Sequence, residues 1–244
     1  MKLLRNFVRT SLLRMGWELR STNYPGSEEI ILKRFLDVVR PDTVFDVGAN
    51  TGQYAIALRK SGFTGRIVSF EAIPSVHAKL AAATAMDPGW IAAPCCALGR
   101  AAGESQINLA ANSWSSSLLP MNATHLAAEP DSRYVGMQIV RVERLDEVAR
   151  SLLPKNGRLL LKIDTQGYEE EVLAGATSML DAVTAMQLEL SLVPLYQGAP
   201  TLRHMLELCE SLGFELHGVI PGFYDMKTAR LLQMDGLFTR PGSR

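Results

Sequence analysis

A chain of 244 residues with 47% hydrophobic content is long enough for a buried sheet with helices on both faces, and no Pro/Gly/Ser linker or charge run divides it. Lysine plus arginine equal aspartate plus glutamate at 25 each, which removes the global field that would draw nucleic acid. Three cysteines, Cys95, Cys96 and Cys209, form an odd set without C-x-x-C spacing, which argues against a disulfide framework or zinc site and for a reducing, cytoplasmic compartment.

Along the first twenty residues Leu3, Leu4, Phe7, Val8, Leu12, Met15 and Leu19 recur at helical spacing, while Lys2, Arg5, Arg9, Arg14 and Arg20 carry nearly all the charge. That pattern is a basic amphipathic helix. Arginines interrupt every apolar stretch and no small-residue cleavage site follows, so it is not a secretory signal. Two uses remain open: an interfacial helix resting on anionic lipid, or a helix packed over the ligand site or in a homodimer interface. Residues 1–26 are thus set apart as an N-terminal helix or cap, and 27–244 form one domain.

Thr43 to Val47 is a short apolar, β-rich run, and Gln53 to Lys60 places Tyr54, Ala57 and Leu58 on one helical face. Between them lies Asp46-Val47-Gly48-Ala49-Asn50-Thr51-Gly52-Gln53-Tyr54, a strand-turn-helix in which Gly48, Gly52 and Asn50 suit positive φ and allow a ligand to approach the backbone. The spacing is not the dinucleotide G-x-G-x-x-G, because the third glycine is missing. Arg66 to Phe70 is a second strand ending in Glu71, where a doubly wound fold brings a carboxylate to a ribose. The alternative role for Glu71 is a helix-start acid ahead of Pro74.

Further strands are expected at 90–97, 158–163, 184–192 and 214–220, the rhythm of a parallel sheet, and Gly236 to Arg240 would add an antiparallel edge strand. Glu104 to Leu109 and Met137 to Val142 alternate as extra strands, which marks an inserted segment at about 104–142. The expected fold class is therefore α/β, doubly wound, with a mostly parallel sheet and an antiparallel C-terminal edge strand. No membrane-spanning run occurs.

The strings DVGANTGQY, FEAIP, CCALG, SSSL and LLKIDTQGYEEEVLAGA, in this order, resemble the FkbM family of S-adenosylmethionine-dependent methyltransferases from about Glu28 to Arg240. The resemblance implies a class I, Rossmann-like methyltransferase fold, S-adenosylmethionine as cofactor and methylation of an oxygen, often a sugar hydroxyl in a glycolipid, lipo-oligosaccharide or polyketide. Asp46, Gly48, Asn50, Gly52, Tyr54 and Glu71 would then hold the cofactor, with Asp46 attracting its cationic groups. Asn50 stands where a glycine is more usual, and Ala97 where many methyltransferases place an adenine-binding acid. The acceptor that the resemblance implies is glycosylated, free or lipid-linked, a deoxysugar first. A polyketide acceptor, or an idle assembly partner with the same fold, are the alternatives.

Removing the acceptor's proton calls for a base. Asp164 is the first candidate, since the carboxyl end of the fourth parallel strand faces the crevice where ligands bind in an open α/β sheet. Its rival roles are N-cap of the following helix or cofactor contact. Glu189 sits in Met186-Gln187-Leu188-Glu189-Leu190-Ser191, whose apolar neighbours predict burial, and it needs a partner: acceptor hydroxyls, Lys162, His204, or a metal shared with Asp164, although no metal site is expected. His125 lies in the polar segment 112–133 and is either a base or a solvated loop residue. Asn112, Trp114, Ser115 and Ser116 combine amide, hydroxyls and an indole as sugar sites do, or form a flexible Ser-rich loop or a cofactor lid.

Overall fold

The computed structural model describes residues 2–18, 27–153 and 157–242. In chain order its strands are β1 (Thr43–Val47), β2 (Arg66–Phe70), β3 (Trp90–Ala92), β4 (Ala97–Leu98), β5 (Gly103–Ala110), β6 (Tyr134–Glu143), β7 (Leu159–Ile163), β8 (Val183–Ser191), β9 (Glu215–Pro221), β10 (Tyr224–Asp225), β11 (Arg230–Leu231) and β12 (Gln233–Thr239). The helices are α1 (Lys2–Arg14), α2 (Glu28–Val39), α3 (Gln53–Lys60), α4 (Pro74–Thr84), α5 (Ala123–Ala128), α6 (Leu145–Val148), α7 (Glu169–Ala174) and α8 (Leu202–Ser211). Leu19 and Arg20, counted in the sequence reading of the first helix, lie outside the described residues.

Seven strands form one sheet in the order β3-β2-β1-β7-β8-β12-β9. The first five are parallel, and β12 runs antiparallel to both its neighbours. Every residue of β1 and β7 is buried, as strands covered on both faces must be. Phe45, Leu161 and Met186 pack on one side with Val172, Met205 and Cys209. Val44, Leu160 and Ala185 pack on the other with Leu32, Phe35 and Leu36 of α2 and Leu58 of α3. This period-two division is what each strand's alternation requires.

Two expectations are corrected. The run 90–97 is not one strand: Pro94 cannot donate to a ladder, so pairing to β2 stops after Ala92, and β4 leaves to join a separate sheet of order β4-β6-β5. The C-terminal strand is antiparallel, but it is not at the edge. It lies between β8 and β9 and pairs antiparallel with both, and its consecutive Leu237 and Phe238 are covered on opposite faces. The extra strands at 104–109 and 137–142 are β5 and β6, paired antiparallel.

The strand order reverses direction at β1, which has β2 on one side and β7 on the other. Ligands of open α/β sheets bind outside the carboxyl ends of the strands at such a switch point. There the chain leaves β1 at Gly48 and β7 at Asp164, and the two exits touch: a Cβ on Gly48 would sit 1.8 Å from the Asp164 carbonyl oxygen.

Candidate active site

A cavity of about 710 Å³ opens over this switch point. Its walls include Gly48, Asn50, Tyr54, Glu71, Ile73, Ala97, Leu98, Ile107, Trp114, His125, Lys162, Asp164, Gln166, Glu189 and Asp235. Gly48 has φ +78° and Asn50 φ +49°, so the turn after β1 uses the left-handed region at both. Glu71 closes β2 and is buried; its Oε2 accepts the Asn50 N–H (3.0 Å) and its Oε1 the Ile73 N–H (2.8 Å). Burial raises its pKa while those N–H groups oppose the shift. Each oxygen keeps a lone pair for the cavity, so bonding to the turn leaves the carboxylate able to accept from a ligand's hydroxyls.

Gly52 and Asp46 differ from expectation. Gly52 does not line the cavity: it begins α3 at φ +96°, and a Cβ there would sit 2.4 Å from the Trp90 ring, so close packing explains the glycine. Asp46 is wholly buried and does not line the cavity either. Its Oδ1 lies 3.1 Å from Lys162 Nζ, its register partner on β7, and its Oδ2 accepts from the Ser69 hydroxyl (3.3 Å). Direct attraction of a bound cation therefore cannot come from Asp46, whose charge Lys162 already answers.

Lys162 joins two acids, since its ammonium also lies 3.3 Å from Asp164 Oδ2. Burial works against that charge, but Asp46 and Asp164 outweigh it and the lysine pKa is raised. The Tyr54 ring lies 5.3 Å from the ammonium, and its hydroxyl donates to Gln187 Oε1 (2.7 Å), whose Nε2 donates to Asp235 Oδ2 (3.0 Å). Burial, chiefly, raises the tyrosine pKa.

Asp164 is not a helix cap. The N-cap of α7 is Tyr168, without a side-chain cap bond, and Glu169 Oε1 holds the preceding turn by accepting from the Thr165 (2.9 Å) and Gly167 (3.1 Å) N–H groups. Asp164 instead faces the cavity with Lys162 on Oδ2 and the Gln166 amide on Oδ1 (2.8 Å). The same Gln166 Nε2 donates to Glu189 Oε2 (2.8 Å). Glu189 thus partners neither Lys162 nor His204, which pairs with Glu170 (3.0 Å). Burial and the carboxyls of Asp164, Glu169 and Asp235 hold the Glu189 pKa well above the carboxylate range. Among the described residues, no group of three His, Cys, Asp or Glu side chains is arranged to hold a metal ion.

The Ser-rich segment is a built loop rather than a flexible one. Asn112 and Ser115 bond reciprocally, Nδ2 to Oγ (3.0 Å) and N–H to Oδ1 (3.1 Å); Ser116 Oγ accepts the Ala110 N–H (3.0 Å); and Ser117 donates to the Gln166 carbonyl (2.8 Å). Asn112 does not line the cavity, whereas Ser115 and Ser116 do, each hydroxyl accepting one bond from within the loop. Trp114 does line it and is 63% exposed, at the mouth. Ser113 ties the loop to the glycine turn by accepting from Asn50 Nδ2 (3.2 Å).

His125 is not a solvated loop residue. It lies in α5, buried between the rings of Tyr196 and Phe223, and burial alone brings its pKa down to about 4. A neutral imidazole in this setting is a poor proton acceptor. Lys162, Gln166 and Asp235 were absent from the sequence candidates. Asp235 lies directly opposite Glu189 across the β8/β12 pair, and its pKa is pushed up to about 7 by burial and by Asp164.

A family profile described as the methyltransferase FkbM domain matches residues 46–216. The chain belongs to the FkbM methyltransferase family. Its cofactor is S-adenosylmethionine. A search of the curated proteins returns no match. Solved structures with a similar course of chain include a putative RNA methyltransferase from Pyrococcus horikoshii (10% identity, 87% of this chain and 81% of that one, TM-score 0.44). They also include WbdD (16%, 86% and 39%, 0.48) and Aeropyrum pernix fibrillarin with bound S-adenosylmethionine (12%, 81% and 66%, 0.45). The chain spans less than half the length of WbdD.

The cavity fits the cofactor's parts. The Gly48 turn admits backbone approach, Glu71 offers carboxylate oxygens for ribose hydroxyls, and Ile73, Ala97, Leu98 and Ile107 give an apolar slot for a base. Of the two acids that share Lys162, only Asp164 lines the cavity and so is placed to face a ligand's positive charge.

Proposed function

We propose that this family member methylates an oxygen: a sugar hydroxyl, foremost on a deoxysugar of a glycolipid or lipo-oligosaccharide, in the cytoplasm and at the inner face of a membrane. One observation carries the reading. The cavity that holds the cofactor residues also presents three carboxyl groups, Asp164, Glu189 and Asp235, where a weakly acidic hydroxyl needs a proton acceptor. The bound cofactor supplies an electrophilic methyl carbon. The chain's own residues hold the acceptor oxygen in line with it, keep water out and take the proton, and alignment is worth much of the rate.

Trp114 supports a glycosyl acceptor, because an indole at the mouth can cover the apolar face of a sugar ring while its oxygens point inward. The N-terminal helix supports a lipid-linked one. Among the described side chains of the N-terminal segment, residues 7–18, none lines the cavity, and Phe7 and Trp17 are each 71% exposed. Among the described residues no helix is long and apolar enough to cross a membrane, so contact would be peripheral.

The test is mass spectrometry of glycolipids from a strain lacking the gene, followed by incubation of those lipids with purified protein and S-adenosylmethionine. Glycolipids lighter by one methylene in the deletion strain, restored by the enzyme in vitro, are expected. An unchanged glycolipid profile together with methylation of an unglycosylated metabolite would replace this acceptor class.

A further inference from the structure

We propose that Glu189 is the group that takes the acceptor's proton and that Gln166 is the positioning residue that holds it beside Asp164. This rests on the reading of the protein as an O-methyltransferase. The acceptor oxygen bonds to the methyl carbon as the carbon–sulfur bond breaks, the electron pair leaves with sulfur, and the hydroxyl proton passes to Glu189.

Gln166 can adopt only one useful orientation. Its Nε2 donates to Asp164 Oδ1 and Glu189 Oε2, both at 2.8 Å, while its Oε1 accepts from the Tyr196 hydroxyl (2.7 Å). A flipped amide would put its oxygen against two carboxylates. The backbone is held as well: Gln166 has φ +57°, an uncommon conformation for a side chain of this size, and its carbonyl accepts from Ser117 of the insertion loop. Side chain and main chain are therefore fixed from three directions, by β7, β8 and the loop.

The two carboxyls that Gln166 joins have opposite surroundings. Asp164 has an ammonium 3.3 Å away as a direct ion-pair partner. Glu189 has no cation among its partners. Facing it are Asp164 from the end of β7, Glu169 from α7 and Asp235 across the ladder from β12, with the neutral groups Gln166 and Tyr196 beside it and His125 against the Tyr196 ring. Like charges directly opposite on paired strands repel, so Glu189 binds a proton more readily than its neighbour. Its Oε2 is occupied by Gln166, and its Oε1 has no hydrogen-bond partner among the described residues although the side chain lines the cavity. Pairs of carboxyls whose environments drive their proton affinities apart divide the roles of charge and proton transfer between them. A cation bound in the cavity lowers the proton affinity of Glu189 and frees it to act as base.

The experiment combines kinetics with a carboxyl titration. In Glu189→Gln, kcat should fall about 10²- to 10⁴-fold while calorimetric affinity for S-adenosylmethionine stays within a few fold. The wild-type kcat should rise with pH along an acidic limb. In Gln166→Leu, which loses the donor that favours the Glu189 anion, that limb should move to higher pH. NMR of protein with ¹³C-labelled glutamate carboxyls, free of cofactor, should show, beside a raised Glu169, a resonance titrating well above the usual carboxylate range that is absent in Glu189→Gln and moved further up in Gln166→Leu. Normal turnover by Glu189→Gln alongside an inactive Asp164→Asn would overturn the assignment and make Asp164 the base. An unmoved limb and resonance in Gln166→Leu, with only a lower melting temperature, would reduce Gln166 to a packing role. If the wild type methylates no hydroxyl, both the function and this assignment fall; if it does and Glu189→Gln is normal, only the assignment falls.

Discussion

Lys162 Nζ lies 3.1 Å from Asp46 Oδ1 beneath the glycine turn, joining the last polar residues of two adjacent parallel strands. Breaking a buried pair leaves the survivor's charge uncompensated, at a cost of about 3–5 kcal/mol. Lys162→Met should lower unfolding stability by roughly that amount at neutral pH, and Asp46→Asn added to it should recover most of the loss. Denaturant titrations of both variants measure this. If the double variant is no more stable than Lys162→Met alone, the pair is not what holds the turn in place.

Glu71 carries the cofactor prediction. Its carboxylate loses charge-assisted bonds to ribose hydroxyls in Glu71→Ala, worth about 1.5–3 kcal/mol, or roughly ten- to a hundredfold in affinity. Because the same oxygens accept the Asn50 and Ile73 N–H groups, the melting temperature should drop too. Calorimetry with S-adenosylmethionine separates the effects: a less stable variant that binds with unchanged affinity would leave Glu71 only its role in the turn.

Positions defined by local pattern were legible in the sequence. The buried runs of β1, β2, β7 and β8 and the left-handed turn at Gly48 and Asn50 follow from alternation and residue type, whereas Glu189, expected to be buried, is only half-buried because it lines the cavity. What was hidden depends on pairing between distant segments. Nothing near Asp46 tells that β7 lies beside β1 in the register that brings Lys162 to it. Likewise His125 sits in a polar stretch, and the rings that bury it, Tyr196 and Phe223, come from segments far along the chain. Asp235 became a site residue because β12 inserts next to β8, whereas a strand at the edge would have left it far from Glu189. Gln166 carries no charge to draw notice; its importance lies in two carboxylates that meet only in three dimensions.

Asp235 should make stability depend on pH in a definite direction. Its pKa is 3.8 as the ordinary value and about 7 in the fold, so between these the folded state holds a proton that the unfolded chain has released. The stability this contributes is present below pH 4 and is lost as pH rises through 7. Asp235→Asn removes the loss and can keep accepting from Gln187. Allowing for solvent reaching the carboxyl through the cavity, the variant should gain on the order of 1–2 kcal/mol over wild type above pH 7 and nothing near pH 4. Thermal melts across this range decide it, and a gain independent of pH would count against the assignment.

Trp114 should govern the acceptor rather than the cofactor. It stands exposed at the mouth, on a loop whose own hydrogen bonds do not involve the indole, so Trp114→Ala should leave the loop intact. Loss of an aromatic face of about 1 kcal/mol or more predicts a several- to tenfold rise in acceptor KM. Steady-state kinetics with a methyl-deficient glycolipid and a parallel S-adenosylmethionine titration test it. Normal acceptor kinetics with weakened cofactor binding would make this loop a cofactor lid, in keeping with the Ser113 to Asn50 bond.

Residues 1–17 contain four cations, Lys2, Arg5, Arg9 and Arg14, and no acid, and the described part of α1 leaves Phe7, Val8 and Leu13 exposed, with Met15 and Trp17 just beyond it. A helix so arranged gains twice at an anionic bilayer: apolar side chains leave water, and each cation near the surface is attracted by roughly 1 kcal/mol at moderate ionic strength. The protein should therefore co-sediment with vesicles containing phosphatidylglycerol and not with phosphatidylcholine alone. Half-molar salt should weaken the binding, because the Debye length then shrinks to a few ångströms. In a Trp90→Phe, Trp114→Phe background, emission from Trp17 should shift to the blue on binding. Phe7→Glu with Leu13→Glu should abolish both signals without altering turnover of a detergent-dispersed acceptor, since residues 7–18 line no part of the cavity. If those changes instead halve the mass of the particle in solution and leave sedimentation with vesicles unaltered, α1 is a dimer contact and the membrane assignment fails.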